Sequence, residues 1–221
     1  HYPLRRQRQM CIRDSSYESK ITLARVYQQT EQPRKALAIY KQQVKAIGFH
    51  TERLYDLAQA MMALKAYTDA RHALFKAIEG NPRHLPSRVS FISLLLLTGE
   101  HNTAIEHSNQ LVDIYPKEAI AYLMLADSQF ALKQLKSAST SYSKGLSVGF
   151  LPELALGLSR TQSAQGQQQQ SLETLQRYWQ EHPAIGAAYS IQLIEENKLL
   201  KAKATLEPVS YTHLRAHETD S

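Results

Sequence analysis

The stretch LAQAMMALKAYTDARHALFKAIEGNP, residues 57–82, decides the fold. Leu57 and Ala58 stand side by side, Ala70 follows twelve residues after Ala58, and Leu74 comes four later. Pro82 lies twelve residues beyond Ala70. Apolar residues at i, i+3, i+4 and i+7 on either side of a short break describe two amphipathic helices. Alanine at 58 and 70 lets the two backbones approach closely, where a larger side chain would wedge the pair open. Proline after the second helix stops it, because its nitrogen has no hydrogen to donate.

Outward from this stretch the same spacing recurs. Ala36, Ala70, Ala104 and Ala138 are 34 residues apart. Twelve residues before them stand Ala24, Ala58, Ile92 and Ala126, each preceded by Leu23, Leu57, Phe91 or Leu125. Four residues after them come Tyr40, Leu74, Ser108 and Tyr142. Twelve after them come Gly48, Pro82, Pro116 and Phe150. A fifth unit fits through Gly166, Ser171, Leu175 and Pro183, and a shortened sixth through Asn197 and Ala202. A fixed period of this length means a repeat architecture. Gly99 and Gly166 fall where a tight turn inside a unit needs positive φ. The expected helices are 17–30, 34–47, 51–64, 67–79, 85–98, 101–114, 118–132, 135–147, 152–165, 168–181, 184–196 and 199–208. Phe91–Leu97 (FISLLLL) reads as the buried first helix of the third unit.

This pattern resembles the tetratricopeptide repeat. The resemblance implies an all-α, right-handed superhelical solenoid of antiparallel helix pairs, about 5.5 repeats long. The expected units are 17–50, 51–84, 85–118, 119–151, 152–183 and a partial 184–208. In the fifth unit, Trp179 three residues before His182-Pro183 is similar to the large bacterial PEP-CTERM-system TPR lipoproteins, which are associated with exopolysaccharide export.

Both ends are expected to be foreign to the array. Met10-Cys11-Ile12-Arg13-Asp14 resembles a translated sequencing adapter reading ATG TGT ATA AGA GAC. Val209-Ser210-Tyr211-Thr212-His213 resembles its reverse complement, and Arg215-Ala216-His217-Glu218 the adapter's continuation. Residues 1–15 and 209–221 are therefore set aside as adapter-derived tails, and 16–208 is expected to be a metagenomic fragment of a longer bacterial protein. The tails carry net charges of +3 and −1, so of the total +6 the stretch 16–208 holds +4. The lone cysteine, Cys11, lies in a tail.

Function is bounded mostly by exclusion. With 43% hydrophobic and 21% charged residues the composition is globular. The longest apolar run, Leu94–Leu97, is far short of a membrane span. The six histidines of 16–208 show no metal-ligand spacing, and no nucleophile elbow or Gly-rich phosphate loop appears. No enzyme activity, catalytic residue, cofactor or metal is expected. Membrane attachment is expected only through an N-terminal anchor outside the sequence, and the compartment, cytoplasmic or periplasmic, stays open.

The resemblance implies a protein-interaction scaffold whose first helices line a concave groove for a peptide or partner helix. Read onto this chain, the groove candidates are Arg25, Tyr55, Gln59, Met62, Val89, Leu96, Leu123, Asp127, Phe130 and Arg160. The same side chains could instead pack against the neighbouring first helix. Places where some family members grip a chain-terminal carboxylate hold Ile21, Arg25, Asp56 and Gln59, without Lys or Asn, so that recognition is not expected. The ladder Arg25, Gln59, Ser93, Asp127, Arg160 is mixed in sign, which argues against nucleic acid. The alternative is a non-catalytic repeat region of a larger enzyme, for example one linked to a glycosyltransferase, or of an exopolysaccharide export lipoprotein.

Overall fold

The structure is a computed structural model describing residues 2–206, with side chains described from Ser16 onward. The helices are α1 (Tyr2–Gln29), α2 (Pro33–Ala46), α3 (Thr51–Ala63), α4 (Tyr67–Gly80), α5 (Leu85–Leu97) and α6 (His101–Ile114). They continue as α7 (Ala119–Ala131), α8 (Leu135–Val148), α9 (Pro152–Ala164), α10 (Gln168–Tyr178), α11 (Pro183–Glu195) and α12 (199–206). No strand occurs among the described residues. Two compact units divide between Leu94 and Leu95. The C-terminal adapter-like tail lies outside the described residues. The N-terminal one continues α1 backward as helix.

In the first unit α1 packs on α2 and α3 on α4. The small slots behave as their spacing predicts: Ala24, Ala36, Ala58 and Ala70 are all fully buried. Tyr40, Leu54, Leu57 and Leu74 fill the space around them. Leu23, which shares Leu57's slot, departs from the pattern and is 46% exposed, because it sits on the first helix and nothing among the described residues covers that flank. Lys76 is tied down, donating to the Val44 carbonyl at 2.7 Å with its ammonium 5.6 Å from the centre of the Phe49 ring.

In the second unit α7 packs on α8, α8 on α9, and α9 on α10. Ala104, Ala126 and Ala138 are again fully buried. Gly157 of α9 lies against the buried ring of Tyr142, so close that a Cβ would stand 2.4 Å from a ring carbon. Ala155, Leu172, Leu175, Ile185, Tyr189 and Leu193 form the core farther along. In the FISLLLL stretch, Phe91, Ile92, Leu94 and Leu95 are buried as expected, but Leu97 at the helix end is 64% exposed. Pro183 opens α11 at its first turn rather than only ending α10, which stops three residues early at Tyr178. Proline restricts the residue before it, and His182 is extended at φ −157° and ψ 135°, so no helix runs through His182 into α11.

Within each hairpin the turn is the same. The amides of Gln32, Ala66, Glu100, Gln134, Gln167 and Lys198 each donate to a carbonyl five residues back, at 2.8–2.9 Å. That is the Schellman bond, which needs a left-handed residue just before it. The left-handed residues are Glu31, Lys65, Gly99, Lys133, Gly166 and Asn197, with φ from 57° to 82°. Only two of the six are the glycines that spacing predicts. Left-handed backbone costs a side-chain-bearing residue roughly 1–2 kcal/mol, and glycine's extra freedom when unfolded takes back roughly 0.5–1. Lys65→Gly and Lys133→Gly are therefore expected to stabilise by about 0.5–1 kcal/mol each, and Gly99→Ala to destabilise. Urea melts of the three variants check both signs.

Side-chain bonds also cross the hairpins at one repeated separation. Tyr40 to Gln28, Ser141 to Gln129, Ser159 to Ser171, and Thr174 to Gln162 all link residues twelve apart. Each joins a first helix to its own second helix.

Candidate functional site

The predicted groove residues fall into two sets, one in each unit. In the first unit Arg25 on α1 is exposed, and Tyr55, Gln59 and Met62 on α3 and Val89 on α5 are half-buried. Several are already engaged. Tyr55 meets the His84 ring edge-on at 5.6 Å, and the Gln59 amide donates to the Ser90 hydroxyl at 2.9 Å. Tyr40 donates to Gln28 at 3.2 Å, and burial raises its hydroxyl above the ordinary value, with Arg25 opposing.

The second set is more closely knit. Asp127 and Phe130 lie on α7, and Arg160 on α9. The Arg160 guanidinium sits over the Phe130 ring, 4.3 Å from its centre, and 3.8 Å from the Asp127 carboxylate. Its side chain is nevertheless 58% exposed. Asp127 also accepts a short hydrogen bond from the hydroxyl of Tyr142, which reaches it from α8. Leu96 is half-buried. Leu123 is 5% exposed and serves the core more than a partner.

Tyr142 is the residue that spacing undervalues. Its slot marks it as core, and its ring is fully buried. The hydroxyl, however, is not a passive core atom, since it donates to the Asp127 carboxylate that Arg160 approaches. A signal was present: Tyr40 and Tyr142 share one slot, and each donates to a polar residue of the first helix.

Burial pushes the Asp127 carboxyl above its ordinary 3.8, while the Tyr142 hydrogen bond and Arg160 pull it down. The folded protein thus holds this proton more tightly than the unfolded chain does. Stability contributed here is lost as pH rises through the interval above 3.8. Asp127→Asn keeps an acceptor for Tyr142 and does not titrate. The melting temperature of Asp127→Asn relative to wild type is expected to climb between about pH 4 and about pH 7. A flat difference across that range would show the carboxyl to be unshifted.

Among the described residues no His, Cys, Asp or Glu cluster could hold a metal ion, and no helix is long and apolar enough to cross a membrane.

Residues 8–77 match the family model described as anaphase-promoting complex, cyclosome, subunit 3, and residues 153–184 match a tetratricopeptide repeat model. Over 96 residues the chain is 27% identical to protein O-mannosyl-transferase tmtc2 of Xenopus laevis, a match covering 40% of this chain and 12% of that protein. Among solved structures, a tetratricopeptide repeat protein from Parabacteroides merdae superposes with a TM-score of 0.65 at 18% identity, over 89% of this chain and 80% of that one. MamA from Desulfovibrio magneticus RS-1 superposes at 0.59 and 18% identity, over 73% of this chain and 92% of that one. These likenesses place the fold in the tetratricopeptide solenoid class. The 34-residue period, the repeated Schellman turns and the repeat-model match over residues 153–184 agree with that fold: the chain is built as a tetratricopeptide repeat array.

Proposed function

We propose that this interaction scaffold takes a carboxylate-bearing partner segment against the inner faces of α7 and α9, with Arg160 as the anchor. The observation that supports this is an arginine held in place yet largely open to solvent. Its guanidinium lies over Phe130 and beside Asp127, with more than half of its side chain exposed. A cation resting on a ring face gains attraction and loses mobility. A side chain already ordered adds little ordering cost when a partner arrives. The guanidinium fork then offers donors matched to a carboxylate. Asp127 serves as the resting counter-charge, buttressed from below by Tyr142.

Peptides selected from a random displayed library on the full chain test this reading. The selected sequences are expected to be enriched in Asp or Glu. Arg160→Gln and Phe130→Ala are expected to weaken them by more than about tenfold, and Leu23→Ser to leave them unchanged. Equal affinity for wild type and Arg160→Gln would overturn it. Leu123 is a poor choice of probe because substituting it disturbs packing.

A further inference from the structure

We propose that the corner where α1, α2 and α3 meet is a binding site for phosphate, either inorganic or carried on a partner's side chain. The cavity there has a volume of about 230 Å³ and is lined by Tyr17 and Lys20 of α1, Gln43 of α2, and His50 and Arg53 at the start of α3. That is room for a tetrahedral ion with water and too little for a drug-sized ligand. It lies wholly within the first unit and does not draw on the Arg160 site.

Three observations converge on an anion. First, the titratable side chains lining the cavity, apart from the Tyr17 phenol, are bases: Lys20, His50 and Arg53. Glu18 and Asp56 are near enough to act on Tyr17, but neither lines the cavity. Second, Gln43 is 3% exposed and its Nε2 has no acceptor among the described residues. A buried amide donor without an acceptor is costly until something supplies one, and a phosphate oxygen is such an acceptor. Third, Arg53 is pre-positioned, its guanidinium 4.4 Å from the centre of the Tyr17 ring. The side chains of Lys20 and His50 make no hydrogen bond or ion pair among the described residues.

The backbone does not decide the sign. The C-terminus of α2 and the N-terminus of α3 both end at this corner, and their partial charges are opposite and offset each other. The side chains decide it. Donors arriving from three helices suit an ion with four oxygens better than a planar carboxylate, and charge-assisted hydrogen bonds to phosphate are the strong ones.

The test titrates the full chain with inorganic phosphate, and with a phosphoserine peptide beside its unphosphorylated twin, by calorimetry. Saturable binding of phosphate or of the phosphopeptide is expected, and none of the unphosphorylated peptide. Tighter binding of the phosphopeptide assigns the site to a modified partner, and binding of the free ion alone assigns it to phosphate itself. Lys20→Gln and Gln43→Met are each expected to weaken binding about tenfold, and Arg177→Gln on α10 to leave it unchanged. Thermal melts show whether the variants fold. No saturable binding of either phosphate probe, or equal binding by folded wild type and Lys20→Gln, overturns the proposal.

Discussion

Tyr142→Ala is expected to lower stability by about 3–5 kcal/mol, the range for emptying a fully buried aromatic site. The ring lies against the Gly157 backbone, so alanine leaves a void between α8 and α9 that neither helix can close without moving. A second loss accompanies the first. Asp127 keeps its partly buried carboxylate but forfeits the Tyr142 donor. Tyr142→Phe separates the two effects. It retains the ring and removes only the hydroxyl, at an expected cost of about 1–3 kcal/mol. Denaturant unfolding of both variants measures the split. Equal losses would mean that the ring fills no essential space.

Gly157→Ala carries the opposite expectation from an ordinary helix glycine. On an exposed face that change stabilises a helix by roughly 1 kcal/mol. Here the new methyl would arrive 2.4 Å from a Tyr142 ring carbon. The ring is fully buried and cannot swing away. A net loss of about 1–3 kcal/mol is expected, as for other overpacked sites. If the clash is the cause, trimming the ring relieves it. The double variant Gly157→Ala/Tyr142→Leu should lose less than the sum of its two single changes. A stabilised Gly157→Ala would sink this account of the α8–α9 contact.

The helical hairpins were legible because one constraint repeats. Each crossing admits only a small side chain, so Ala36, Ala70, Ala104 and Ala138 mark the period, and most helix ends fall within one residue of expectation. The turns were less legible. A Schellman turn is fixed by backbone hydrogen bonds, which any residue tolerating positive φ permits, so Lys65 and Lys133 serve where only glycine advertises the conformation. Leu23 departs from the repeat because its slot is buried only where another helix covers it. Of the candidate site, the groove register implied by the resemblance named Asp127, Phe130 and Arg160, and these three side chains do meet between α7 and α9. It missed Tyr142's hydroxyl and the Gln43 corner. Both depend on where the tip of a side chain ends, and periodicity constrains only where it begins.

The bonds that join residues twelve apart bear on how the chain reaches its fold. Closing so short a span costs little entropy, and the cost grows only slowly with length. The pairs Tyr40–Gln28, Ser141–Gln129, Ser159–Ser171 and Thr174–Gln162 can form as soon as two consecutive helices exist. No distant segment must arrive first. Chains dominated by such near-neighbour contacts fold quickly for their size. During synthesis each hairpin can close while the next is still being made, so apolar surface is hidden piece by piece and little of it is ever offered to another chain.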